Sequence, residues 1–216
     1  RQPNWSMEDK LIALQKIVED VKNHQCSLRA GCMQAVPGEG DPASPIIFIG
    51  EAPGRVEDQE GRPFVGPAGQ LLGKLLDSIG LNRADVYITN VVKCRPPENR
   101  DPSPVEVVEH HDFLQRELDL IKPKLIIPLG RHALHWFLPD EKISECHGKI
   151  KRQGQYVYFP IYHPAAALHN PNLSNTLKED FLKIPTIIKE IDELPLVVVT
   201  APSSSPADHT PVKPAQ

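Results

Sequence analysis

The chain has 216 residues, 40% hydrophobic and 24% charged, which is the profile of a globular protein long enough to bury a core. No apolar run is long enough to span a membrane, and no apolar signal segment follows the first residues, so the expected setting is cytoplasmic. The formal charge of −4 is low for a nucleic-acid-binding protein, so any such contact must come from local clusters, and the four cysteines argue for metal ligation or buried thiols rather than a disulfide framework.

Residues 1–5 read as a flexible leader. Ser6 is a candidate N-cap for a helix whose apolar positions are Leu11, Ile12, Leu14, Ile17, Val18 and Val21. Residues 37–45, rich in Gly, Pro and acids, predict a loop, and the apolar run 46–50 predicts a buried parallel strand. Residues 51–66 read as a glycine- and proline-rich loop, followed by an amphipathic helix through Leu71, Leu72, Leu75, Leu76 and Ile79 that stops near Gly80. Further strands are expected at 86–92, 125–130 and 156–162, and further helices at 105–121, 131–138 and 173–193, the last with a kink at Pro185. The Pro- and Ser-rich residues 195–216 read as a disordered tail beyond a single domain at 6–194.

Alternating strands and helices predict an α/β fold: a three-layer α/β/α sandwich around a four-stranded parallel sheet. Ligands bind such sheets at the carboxyl ends of the strands, where this chain places Gly50-Glu51, Asn90, Gly130-Arg131 and His163. Arg131 reads as an ordinary loop residue.

Three of the following loops carry chemistry. The stretch 50–69 is rich in glycine but lacks the Gly-Lys-Ser/Thr ending of a phosphate loop, and Phe64 within it is either a hydrophobic plug or a stacking platform for a planar ligand. Asn90 offers one acceptor and two donors, matching an adjacent N–H and C=O, although an Asx turn explains a lone Asn equally well. His163 precedes a proline, which disfavours helix and holds it at the strand end. No Gly-x-Ser-x-Gly elbow is present.

The combination of Gly-Glu-Ala-Pro-Gly at 50–54, Gly-Arg-Pro-Phe-Val-Gly at 61–66, Thr-Asn-Val-Val-Lys-Cys-Arg-Pro-Pro at 89–97 and His-Pro at 163–164 resembles the family-four uracil-DNA glycosylases, over about residues 10–190. The resemblance implies hydrolysis of the uracil N-glycosidic bond in DNA during base excision repair, by a monomer without lyase activity. It implies Glu51 and Ala52 lining the base pocket, Phe64 stacking on the flipped base, Asn90 reading its pairing edge, His163 bonding O2, and Glu57 bordering the base or orienting water. Ala52 stands where some other branches carry an aspartate base. Glu51, Glu57 and His163 are thus the implied catalytic residues. Arg95 and Arg100 would meet DNA, Leu168 would be a minor-groove wedge, and His169 replaces the family's usual arginine. Alternative readings are a non-catalytic uracil- or single-strand-binding module and a glycosylase for hypoxanthine or xanthine.

The resemblance also implies a [4Fe–4S] cluster on four cysteines, but the first position falls on Asn23 and the fourth on His110, with only Cys26 and Cys94 matching. The expectation is a protein without the cluster. The alternative is a non-standard ligand set of Cys26, Cys32, Cys94 and His110. Cys146 reads as a plain thiol, and His132 and His135 as solvent-facing histidines rather than zinc ligands.

Overall fold

The computed structural model describes residues 4–193; the expected tail and the first three residues of the expected leader lie outside them. The chain opens with α1 (Met7–Lys22), started by the capping box that Ser6 makes with Asp9. Next come β1 (Glu39–Gly40), β2 (Ile46–Gly50), α2 (Arg55–Glu60), α3 (Pro67–Ser78) and β3 (Tyr87–Asn90). Then follow α4 (Pro104–Ile121), β4 (Leu125–Pro128), α5 (Gly130–Phe137) and α6 (Ile143–Cys146). The remaining elements are β5 (Lys151–Gln153), β6 (Tyr156–Tyr158), α7 (Pro164–Ala167) and α8 (Pro171–Glu190).

These strands make one six-stranded sheet in the order β1-β3-β2-β4-β6-β5. The four inner strands are parallel, as expected, but β1 and β5 pair antiparallel at the two edges, so the sheet is mixed rather than purely parallel. Edge strands of two or three residues are too short to show a period of two, which is why 39–40 read as loop. The supposed loop 51–66 likewise holds the single-turn-and-a-half helix α2, which carries little apolar signal. The last helix begins at Pro171, capped by Asn170, and runs on through Pro185.

Side-chain alternation along the inner strands divides the core into two layers. Ile47, Ile49, Tyr87 and Ile126 face α1, α4 and α5, where they meet Ile17, Val21, Leu114, Leu118 and Leu134. Ile46, Phe48, Ile88 and Ile127 face α3 and α8, where they meet Leu72, Leu76, Phe181 and Ile184. This is the expected α/β/α sandwich, and burial on both faces explains the unbroken apolar runs of β2 and β4. Among the described residues no helix is long and apolar enough to cross a membrane.

Candidate active site

The carboxyl ends of β2, β3 and β4, with the chain that follows β6, surround a cavity of about 520 Å³. Glu51, Ala52, Glu57, Phe64, Asn90 and His163 all line it, so the residues singled out in three separate loops converge on one site. That volume is in the range of small-molecule pockets.

The floor is built on Gly50. A Cβ there would stand 2.5 Å from Asn90 Oδ1 and 2.5 Å from Phe64 Cζ, so only a glycine leaves room for both side chains. Phe64 itself has φ 51°, in the left-handed region that a bulky residue avoids at a cost of about 1–3 kcal/mol. Several groups hold it there. Arg83 donates to the carbonyls of Pro63 and Phe64, each at 2.7 Å, and Glu57 Oε1 accepts from the N–H groups of Val65 (3.1 Å) and Gly66 (2.9 Å). Gly69 lets the Phe64 carbonyl pass close by, since a Cβ there would lie 1.8 Å from that oxygen. Glu57 therefore lines the cavity and also pins the loop that presents the aromatic ring.

Asn90 ends β3 and is 3% exposed. Its side-chain oxygen has no hydrogen-bond partner among the described residues, a cost of roughly 1–3 kcal/mol that an unfilled binding group would carry. Its main-chain carbonyl accepts from Lys93 Nζ at 2.8 Å. Lys93 is fully buried, paired with Glu117 at 2.6 Å and bonded to Thr89 Oγ1 at 2.6 Å, so it braces the site from behind and is not part of a basic face beside Arg95 and Arg100.

His163 caps α7 by accepting the Ala165 N–H at Nδ1, 3.0 Å away. An accepting Nδ1 leaves the proton on Nε2 in the neutral ring. Burial pushes the imidazole pKa down to about 4 against the opposing pull of Glu57, so the neutral donor form prevails at physiological pH. The ring stacks near Phe64, with centroids 5.6 Å apart.

Glu51 is half-buried, and burial together with the Asp101 charge pushes its pKa up to about 7, with Arg131 opposing. His132 Nε2 lies 3.4 Å from Glu51 Oε2 and 3.1 Å from Asp101 Oδ2. His132 is thus a pocket-wall residue and not the solvent-facing histidine expected, whereas His135 is exposed. Glu51, Asp101 and His132 form one of two donor groups spaced closely enough to hold a metal ion.

Asn99 and Arg100 also line the cavity; Arg95 Nε donates to Asn99 Oδ1 at 2.7 Å, and Arg100 makes a two-pronged pair with Glu106 at 2.8 and 2.7 Å. Arg100 holds the Glu106 carboxyl down to about 2. Leu168 is 40% exposed just after α7, and His169 beside it is exposed.

The second donor group lies where the end of α1 packs beside α4. His24, Cys26 and His110 bring ligand atoms within 4.8 Å of one another, and Cys26 Sγ is 3.5 Å from Cys94 Sγ. Cys32 is also near, with its sulfur accepting from Arg29 Nη1 at 3.4 Å. Cys146 is elsewhere, on α6 near Glu141 and Lys151. Cys94 thus contacts Cys26 and Cys32, while Cys26 approaches His110 and also His24, which spacing alone does not single out.

Residues 37–184 match the profile of the Uracil DNA glycosylase superfamily. The chain is similar to the Type-4 uracil-DNA glycosylase of Sulfurisphaera tokodaii, 48% identical over 80% of this chain and 83% of that protein. It is 47% identical to the Type-4 uracil-DNA glycosylase of Archaeoglobus fulgidus, over 80% of this chain and 92% of the relative. The protein of the same name from Thermotoga maritima is 42% identical, over 76% and 88%.

Proposed function

This chain belongs to the uracil DNA glycosylase superfamily, and from that membership we propose that it takes uracil flipped out of DNA into the Phe64–Asn90–His163 pocket and hydrolyses its N-glycosidic bond. The observation that carries the reading is a matched set of unspent hydrogen-bonding groups facing one cavity. Asn90 keeps a free buried acceptor, and His163 keeps a neutral Nε2–H donor.

Cleavage leaves an oxocarbenium-like sugar and a uracil anion, and the site must be complementary to that separation of charge. Asn90 accepts from uracil N3–H and donates to O4. His163 Nε2–H donates to O2, where negative charge grows. Such fixed donors typically contribute about 10²–10³ in rate each. Phe64 stacks on the base and, with the half-closed cavity, offsets the few kcal/mol that flipping costs. Glu51, ionised in its upper pH range, orients the attacking water and faces the positive sugar. Glu57 sets the Phe64 loop and borders the base. No lysine lines the cavity among the described residues, so a Schiff base is not available and the enzyme is monofunctional. Arg95, Arg100, Leu168 and His169 would meet the duplex beside the pocket, with Leu168 as the wedge filling the vacated stack.

The donor set departs from the four-cysteine pattern implied by the resemblance, because two of its four positions are Asn23 and His110 and two imidazoles, His24 and His110, stand beside Cys26. No step above uses it. The test is excision from oligonucleotides carrying one uracil, hypoxanthine or xanthine. Cleavage at uracil alone supports the reading, and cleavage at a purine base without cleavage at uracil overturns it.

A further inference from the structure

Four facts about the Cys/His cluster have no place in glycosidic chemistry. His110 is fully buried on α4, and its Nδ1–H donates to the Glu106 carbonyl at 2.7 Å. That bond fixes the tautomer and leaves a bare Nε2, which has no partner among the described residues. His24 Nε2 is also buried without a partner, and its ring packs edge-on at 4.9 Å from that of His110. Cys26 and Cys94 place their sulfurs 3.5 Å apart, from segments 68 residues apart in sequence. A core does not ordinarily collect two unpaired imidazole nitrogens and two facing thiols, since each buried polar group left unpaired costs stability.

We propose that His24, Cys26, Cys94 and His110 hold one tetrahedral thiophilic metal ion, zinc, as a structural staple joining the end of α1, the loop after β3 and the N-terminal half of α4. The chemistry of the donors fits. Two thiolates and two imidazoles are a tetrahedral zinc set. With Zn–S near 2.3 Å, a tetrahedron puts neighbouring sulfurs about 3.8 Å apart, close to the 3.5 Å seen here. A ligating histidine almost always gives its other ring N–H to a carbonyl or carboxylate, as His110 does to Glu106. The loop bearing Cys26 is also tied to α4, through Ser27 N–H and Oγ bonds to Glu109 next to His110. Cys32 is engaged by Arg29 and also contacts Cys94, but it is outside the mutually close group of His24, Cys26 and His110, which Cys94 joins through Cys26. His110 lies near Lys93, and none of the four ligands lines the substrate cavity, so the role of the site is to fix the loop after β3 rather than to touch substrate.

The test is metal counting with spectroscopy on the full chain. Protein expressed with zinc and purified without chelator should carry about one zinc per chain, without acid-labile sulfide. Cobalt(II) added to chelator-stripped, folded protein should give the visible bands of a tetrahedral site and a thiolate-to-cobalt charge-transfer band. His110→Ala and Cys26→Ser should each lose the stoichiometric ion while Cys32→Ser keeps it. His24→Ala, on the more exposed ligand, provides the same reading if His110→Ala fails to fold. About four irons with matching sulfide per chain, no tetrahedral cobalt spectrum from folded protein, or full metal retention in both histidine variants would each overturn the proposal.

Discussion

Gly50→Ala is a one-carbon change that should disable the pocket. The new Cβ would meet Asn90 Oδ1 and Phe64 Cζ, each at 2.5 Å, distances that real Cβ atoms do not tolerate. Flexible side chains would simply swing away, but these two are held. The Phe64 backbone is pinned by Arg83 and by Glu57 acting on the next two N–H groups, and Asn90 is 3% exposed above the Lys93 ammonium. Relief therefore needs a shift of roughly 0.5–1 Å in both groups, and overpacking of this kind costs about 1–3 kcal/mol. In a domain of this size that lowers the melting temperature by about 2–12 °C. A misplacement of about 1 Å at the reacting geometry costs about 10²-fold in rate, so the excision rate should fall far more than the stability does. Single-turnover release of uracil from an end-labelled oligonucleotide, with a melting curve on the same sample, measures both. The loss should also overlap with that of Asn90→Ala, because the two act on one group, giving a double variant less impaired than the product of the singles. Excision by Gly50→Ala within about threefold of the parent, with the melting temperature lowered as expected, would refute the assignment of Phe64 and Asn90 to the base.

Asn90→Ala and His163→Ala should each lower single-turnover excision by about 10²–10³ while circular dichroism stays unchanged. Glu51 has its pKa raised to about 7 by burial and Asp101, so excision should climb as pH rises through that region and the carboxylate forms. Asp101→Asn removes one of the charges that raise it, and the inflection of the pH–rate profile should then move to lower pH; an unmoved inflection would take Glu51 out of the rate-determining ionisation. His163, neutral down to about 4, should add no second inflection near neutrality. Lys93→Met leaves Glu117 charged and unpaired in a dry core, a loss of about 3–5 kcal/mol that urea unfolding would register.

Local signals in the sequence are enough to locate the inner strands and the long helices. The apolar run 46–49 alternates cleanly between the two helical layers, and Ser6 with Asp9 marks the start of α1. β1 and β5 are invisible at that level, because their pairing with β3 and β6 comes from chain geometry rather than from a side-chain period. The pocket residues were legible as a combination of loops, and Phe64, Asn90 and His163 do meet in one cavity. What holds them was not. Arg83 lies outside every recognisable motif yet clamps two carbonyls beside Phe64. Lys93 stands two residues from Arg95 in the sequence, yet it is fully buried against Glu117, a partner on α4 that spacing does not report. His24 joins the thiols only because the end of α1 packs beside α4, a long-range contact that spacing cannot report. His132 reaches Glu51 for the same kind of reason, since α5 starts at the end of the strand next to β2.

The central claim is that the Asn90 and His163 groups recognise and release uracil, and it is tested most directly by measuring free uracil, by mass, from a uracil-containing oligonucleotide. The account predicts uracil release by the parent chain, an intact sugar–phosphate strand until alkali is added, and release by Asn90→Ala slower by at least about 10²-fold. Folded parent protein that frees no uracil, or an Asn90→Ala variant that frees it at the parent's rate, would contradict it.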